Sequence, residues 1–203
     1  MKIICVGRNY AEHAKELKND IPSEPVIFFK PDSSILRNNQ PFFIPSFSKN
    51  LHYEVEVVFK ICKVGKSISK KFAHRYYDSI GIGIDFTARD LQEKCRAKGL
   101  PWEISKAFDS SAAISRFIPK TDIDNLGKLH FSLVKNNEVV QQGNTSDMIF
   151  HIDEIIAYVS QFVTLKTGDL IYTGTPAGVG PVKIGDHLQA YIEDRKMMDF
   201  YIR

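Results

Sequence analysis

Two periodicities take turns along the chain. "LHYEVEVVF" (51–59) puts Leu51, Tyr53, Val55, Val57 and Phe59 on odd positions and His52, Glu54 and Glu56 on even ones, the period of two that a strand with one apolar face requires. "SIGIGIDF" (79–86) repeats it, with Ile80, Ile82, Ile84 and Phe86 on one side and Gly81, Gly83 and Asp85 on the other. Further strands are predicted at "KIICVG", "VIFFK", over 51–61, at "KLHFSLVK" and "EVVQQG" joined around Asn136–Asn137, and at "GDLIYTGTP", "HLQAYIE" and "KMMDFYIR". "PFFIPSF" reads as a broken extended segment. The helical period appears in "HIDEIIAYVSQF", where Ile152, Ile155, Ile156, Val159 and Phe162 form a stripe. "TARDLQEKCRAKG" is a helix closed by Gly99 at its C′ position. Asn9 reads as the cap of a helix to about Lys18, with Glu12 completing a capping-box variant, and "SKKFAHRYYDS" as a fourth helix. Strands outnumber helices and do not alternate regularly with them. The expected fold is therefore α+β and β-rich, with a mixed sheet rolled or sandwiched on itself, rather than doubly wound.

Composition narrows the function classes. The 203 residues suffice for a substantial core, and no linker-like shift in composition divides them. Net charge is +3 with the basic residues scattered, which gives no nucleic-acid footprint and suits a small anionic substrate. Cys5, Cys62 and Cys95 are far apart and form no CxxC, against a disulfide framework or zinc site and for a reducing compartment. "MKIICVGRNYAEHAKELK" has too short an apolar run for a signal peptide, and no stretch approaches a membrane span. The expectation is a cytoplasmic protein.

Glu54 and Glu56 point the same way from one strand. Alone, such a pair reads as a wet outer face. Asp85 changes the reading, because it ends a strand on the glycine side, where another group can approach closely. Three carboxylates would offer hard oxygen ligands for Mg²⁺ or Mn²⁺. His13 and Glu16 stand at i and i+3 of the first helix, either a surface pair or a base with a carboxylate fixing its tautomer. Arg89 and Gln92 share that spacing just past Asp85, either on a solvated face or aimed into the site. Lys106 in "ISKAF" and Lys30 in "FFKP" read by themselves as strand-end lysines. "TGTPAGVGP" lacks GK[ST] and is no Walker loop. Trp102 and Phe108 read as packing.

"CVGRNYAEH", "SEPVIFFKP", "NLHYEVEV", "GIDFTARDLQ", "GLPWEISKAFD" and "GDLIYTGTPAGVGPV" together span nearly the whole chain. In that order they resemble the fumarylacetoacetate hydrolase family, and most closely its short acylpyruvate hydrolase-type branch. The resemblance implies a single catalytic domain over 1–203, one Mg²⁺ (or Mn²⁺) per subunit, a homodimer and a small 2-oxo acid substrate. It assigns Glu54, Glu56 and Asp85 as metal ligands. His13 and Glu16 become a water-activating dyad on a segment that orders over the site, and Lys106 a cation that anchors substrate. Arg89, Gln92, Thr175, Gly174 and Lys30 become substrate contacts, and Arg8 helps hold that segment or the substrate. The family often has a glycine-bearing hairpin where this chain has "YIEDRKMMDFYIR". The implied activity is metal-dependent C–C hydrolysis of a 3-acylpyruvate. Oxaloacetate decarboxylation, or tautomerisation of a 2-oxo acid at the same enolate-stabilising site, is the alternative. A non-catalytic metal-binding β-domain is the reading from another class.

Overall fold

Branched side chains on one row and glycines on the other decide the middle of the chain. In the computed structural model, which describes residues 1–16 and 20–203, this stretch is the strand Tyr77–Asp85, antiparallel to Val55–Ile61 with Glu56 opposite Gly83. Ile80, Ile82 and Ile84 are fully buried in the core. The glycine row is filled from within the protein. A Cβ on Gly83 would collide with the ring of Tyr172, whose hydroxyl donates to Ala113 O at 2.9 Å.

The main sheet runs Val26–Lys30, Ile3–Gly7, Leu170–Tyr172, Val55–Ile61, Tyr77–Asp85, Ala112–Ile114, Ile35–Leu36, with Ile118–Pro119 also paired to Tyr77–Asp85. It is mixed: Ile3–Gly7 lies parallel to Leu170–Tyr172, and Ile35–Leu36 parallel to Ala112–Ile114. A second, antiparallel sheet runs Glu138–Asn144, His130–Lys135, His187–Ile192, Arg195–Tyr201. Between the two, Val55, Val57 and Phe59 meet Leu133, Leu188, Ala190 and Phe200 in one apolar core. Each such side chain contributes about 1.5–3 kcal/mol by leaving water. Leu51–Tyr53, Gly180–Pro181 and Thr87–Ala88 form a third, small sheet. The α+β, β-rich architecture is the expected one.

Among the described residues the helices are α1 (Ala11–Glu16), α2 (Lys70–Ala73), α3 (Arg89–Lys98), α4 (Glu103–Lys106) and α5 (Ile152–Phe162). Gly99 closes α3 at φ 62°, as expected, and Asn136 and Asn137 turn the hairpin at φ 52° and 71°. The last hairpin turns at Glu193, φ 47°, without the glycine that the family often has.

Several expectations need correction. Asn9 does not cap α1. Its amide donates to Phe150 O and Thr173 O and accepts from Phe150 N at 2.8 Å, so it ties the start of α1 to two distant loops. Leu17 and Lys18, the expected end of that helix, lie outside the described residues. The helix expected over 69–79 stops at Ala73, and Tyr77 already belongs to the strand, its ring edge-on to Phe59 at 5.1 Å. The α5 stripe is buried except for Phe162, which is 57% exposed and packs on Tyr158. The strand expected over 51–61 is two strands, interrupted at Glu54.

Candidate metal centre

The interruption at Glu54 positions the site. Leu51–Tyr53 pairs within the small sheet, whereas Val55–Ile61 pairs within the main sheet, so the chain changes sheets at Glu54. The amide of Val55 is satisfied by Gln141, whose Oε1 accepts it at 2.9 Å. The amide of Asp85 bonds to Glu54 O at 2.8 Å. Glu54, Glu56 and Asp85 are all buried, with one carboxylate oxygen of each within 4.8 Å of the others. His52 stands outside this trio and bonds to Asn50.

Three cations face the trio. Lys106 Nζ donates to Glu54 Oε2 at 2.7 Å, Asp85 Oδ2 at 2.7 Å and Thr87 Oγ1 at 2.6 Å. Those bonds use all three ammonium hydrogens, so its charge, and no spare N–H, reaches the cleft. Arg89 donates to Glu54 Oε1 at 2.6 Å and to Gln92 Oε1 at 2.5 Å. Lys30 Nζ donates to Ser111 O and Oγ and lies 2.7 Å from Asp85 Oδ1. Burial pushes the Glu54 carboxyl up, but Lys106 and Arg89 outweigh it and hold the group well below the usual carboxylate range. Burial, with Asp85 and Glu54 adding to it, pushes Glu56 well up despite a 2.7 Å bond from the Gly174 amide. Burial lowers Lys106, but Asp85 and Glu54 raise it further.

The trio lines a cleft that opens to solvent. His13, Arg89, Gln92, Lys106, Thr175 and Arg8 are all on its lining. Lys30 and Gly174 stand behind the wall: Lys30 backs Asp85, and Gly174 turns its amide to Glu56. Gly174 has φ 99°, and a Cβ there would press on Asn9 Cβ at 2.7 Å, so only glycine fits. His13 Nδ1 lies 3.1 Å from Glu16 Oε2. A carboxylate accepts, so Nδ1 is the donor, and in the neutral ring the lone pair is on Nε2. Glu16 in turn accepts from the Gly178 amide at 3.2 Å, which clasps α1 to the 173–180 loop.

Two further residues complete the cleft: Arg96, which the sequence reading passed over, and Trp102, which it read as packing, both line it. Arg96 follows Arg89 and Gln92 at i+7, a helical signal visible in "RDLQEKCR". Gln141 donates to Thr175 Oγ1 at 2.9 Å while holding Val55, and no local pattern announces it.

The donor set fits a hard dication. Asp85 Oδ1 is buried and, although Lys30 is near, accepts no hydrogen bond of good geometry. Three oxygen donors without thiolate or imidazole suit Mg²⁺ or Mn²⁺.

Comparison with known proteins agrees with the geometry. The family model for the fumarylacetoacetate (FAA) hydrolase C-terminal domain matches residues 2–202. The chain belongs to the fumarylacetoacetate hydrolase family. Within it, the chain is 45% identical over 201 residues to mouse "Oxaloacetate tautomerase FAHD1, mitochondrial", covering 99% of this chain and 91% of the relative. It is 46% identical over 192 residues to "Oxaloacetate decarboxylase, mitochondrial" of Dictyostelium discoideum, covering 94% and 88%. The crystal structure of Pseudomonas aeruginosa fumarylpyruvate hydrolase in complex with Mn²⁺ and pyruvate superposes with a TM-score of 0.94 at 35% identity, covering 100% of this chain and 89% of that one. No helix among the described residues is long and apolar enough to cross a membrane.

Proposed function

We propose that this chain is a divalent-metal-dependent enzyme that interconverts the enol and keto forms of oxaloacetate, with decarboxylation open to the same site. The observation that carries the reading is a base paired to a carboxylate, His13 with Glu16 at 3.1 Å, in the cleft floored by Glu54, Glu56 and Asp85. Acylpyruvate hydrolysis, first on the sequence alone, gives way because the relatives at 45% and 46% identity carry oxaloacetate activities in their names. Hydrolysis stays as a second reading, favoured by the fumarylpyruvate hydrolase at 35% identity.

Glu54, Glu56 and Asp85 would hold the ion, which when bound supplies Lewis acidity toward the 2-oxo group. His13 Nε2 takes a proton from C3 of the keto form while the C2 oxygen gains one from solvent, or returns a proton to C3 of the enol while the C2 hydroxyl gives its own up to solvent, and Glu16 fixes the imidazole tautomer. Lys106 and Arg89 keep Glu54 ionised and add positive charge where the oxygen at C2 becomes negative. Thr175, oriented by Gln141, offers a hydroxyl to the substrate carboxylate. Tautomerisation asks only for this proton shuttle. Decarboxylation draws on the same stabilisation of negative charge without a base at C3, and hydrolysis would use His13 to deprotonate an attacking water.

The test follows three reactions with Mg²⁺ or Mn²⁺ added: decay of enol-oxaloacetate absorbance, pyruvate release from oxaloacetate, and cleavage of acetylpyruvate. Metal-dependent acceleration of enol decay is expected, falling by about 10²–10⁴-fold in His13→Ala. Acetylpyruvate cleavage without any acceleration on oxaloacetate would replace the proposal with the hydrolase reading. Metal binding with no turnover of either acid would leave a binding module.

A further inference from the structure

The inner cations of the cleft are all committed. Lys106 is bonded to Glu54, Asp85 and Thr87, and Arg89 to Glu54 and Gln92. Arg8 is different. It lines the same cleft, half-buried, and among the described residues its guanidinium has no hydrogen-bond or ion-pair partner. Its backbone is unusual as well. Arg8 has φ 59°, the left-handed region, directly after Gly7 at the end of the strand Ile3–Gly7. The glycine stands one position too early to relieve it. A long side chain on such a backbone is strained, yet the next residue, Asn9, is locked by its bonds to Phe150 and Thr173. The strained position therefore places a cation on the cleft wall.

Charge defines what that cation would take. Glu54, Glu56 and Asp85 are matched by Lys30, Arg89 and Lys106. A bound dication makes the interior positive by two, and one carboxylate of a 2-oxo acid offsets half of this. Arg8, on the cleft lining, adds a further positive charge and calls for a second carboxylate. Trp102, edge-on to Phe28 at 5.9 Å, supplies an apolar wall between such groups.

We propose that Arg8 selects dicarboxylic 2-oxo acids, its guanidinium pairing in bidentate fashion with the carboxylate remote from the 2-oxo group. This rests on the reading of the cleft as a 2-oxo acid site and names the residue that separates oxaloacetate from monocarboxylates sharing its head group. Arg8 is a specificity residue here and takes no part in proton transfer.

Trp102 is the chain's one tryptophan and lines the cleft, so its fluorescence reports occupancy. The Mg²⁺-loaded protein is titrated with oxaloacetate and with pyruvate as wild type, Arg8→Gln and Arg8→Gly. Wild type is expected to bind oxaloacetate at least about tenfold more tightly than pyruvate. Both variants should weaken oxaloacetate about ten- to a hundredfold and leave pyruvate within about twofold. In turnover, the loss should fall on KM for oxaloacetate more than on kcat. Arg8→Gly should also keep or raise Tm, because glycine accepts the left-handed backbone without strain, whereas loss of a merely structural arginine would lower it. Equal weakening of both acids, or no change in either, overturns the proposal, as does a Tm drop in Arg8→Gly that accompanies the lost affinity. A wild type that prefers oxaloacetate in binding but turns it over in no assay would remove the proposed activity and leave the role of Arg8 standing.

Discussion

Two ionic clusters in this molecule set cations against carboxylates at the same distances and do different things. In the cleft, Lys106 lies 2.7 Å from both Glu54 and Asp85, and Arg89 lies 2.6 Å from Glu54. On the outer sheet, Asp199 accepts from His187 at 2.6 Å, Lys196 at 2.6 Å and Gln189 at 2.9 Å. The difference is water. The Glu54 and Asp85 side chains are 7% and 1% exposed, while Asp199 is 33% exposed. A charge pair about 4 Å apart gains about 1 kcal/mol in bulk water and about 4 kcal/mol at an effective dielectric of about 20. The buried cluster must also offset several kcal/mol of desolvation per ion, so it is poor ground for net stability. What it provides is three carboxylates held together in a dry floor. The outer cluster fastens a hairpin and little more.

The contrast breaks most visibly at Asp85. Asp85→Asn leaves Lys106 and Lys30 short of their shared counter-charge in the interior. The expected cost is about 3–5 kcal/mol, or roughly 6–20 °C in Tm at about 2–4 °C per kcal/mol for a chain of this size. Calorimetric titration should show divalent-ion binding lost, and adding chelator to wild type should silence turnover just as completely. A variant that melts near wild type and still takes up the ion would mean that the buried cluster behaves like the surface one.

The dyad lies between the two extremes, with His13 7% and Glu16 35% exposed at the side chain. α1 has six described residues, too few to persist alone. It is held by Asn9, by the Tyr10–Met148 bridge and by the Glu16 contact with Gly178. Glu16→Gln keeps an acceptor for the Gly178 amide but removes the charge that orients the imidazole. The expectation is a fall in kcat of roughly ten- to a hundredfold, with Tm within about 2 °C and ion affinity unchanged. A parallel loss of ion affinity would place Glu16 with the buried cluster, and an unchanged kcat would remove it from the chemistry.

How far each cluster could be read from the sequence follows from the same physics. The alternation in "LHYEVEVVF" and "SIGIGIDF" put Glu56 and Asp85 on defined faces, because a strand's period of two fixes side-chain direction, whereas the break at Glu54 was not visible in it. Period says nothing about which strands meet, so the convergence of the three came from the family resemblance and the pairing of Glu56 with Gly83. The glycine row announced a close approach but not what approaches, which is the ring of Tyr172. Lys106 came to attention only through the family resemblance, and its commitment to three partners depends on distant chain segments. Gln141 and Gly178 act through single hydrogen bonds across the fold and leave no local trace. Asn9 looked like a cap because Asn favours that position locally, and tertiary partners at Phe150 and Thr173 outbid the helix.

The smallest effect belongs to Asp199, and pH gives its sign. The hydrogen bond from Lys196, then those from His187 and Gln189, hold its carboxyl well below the usual range, against about 3.9 in an unfolded chain. A carboxylate depressed in the folded state stabilises it above the unfolded value and stops doing so as pH falls through the folded one. At a third exposed, the group is screened by solvent, and the stabilisation should stay under about 1 kcal/mol. Asp199→Asn should therefore lower Tm by less than about 4 °C at pH 7, with the gap to wild type narrowing below about pH 4 and shrinking in high salt. Turnover and ion affinity should not move. If the gap persisted unchanged at low pH, shape rather than charge would be what Asp199 contributes, and the outer cluster would no longer serve as the solvated counterpart of the buried one.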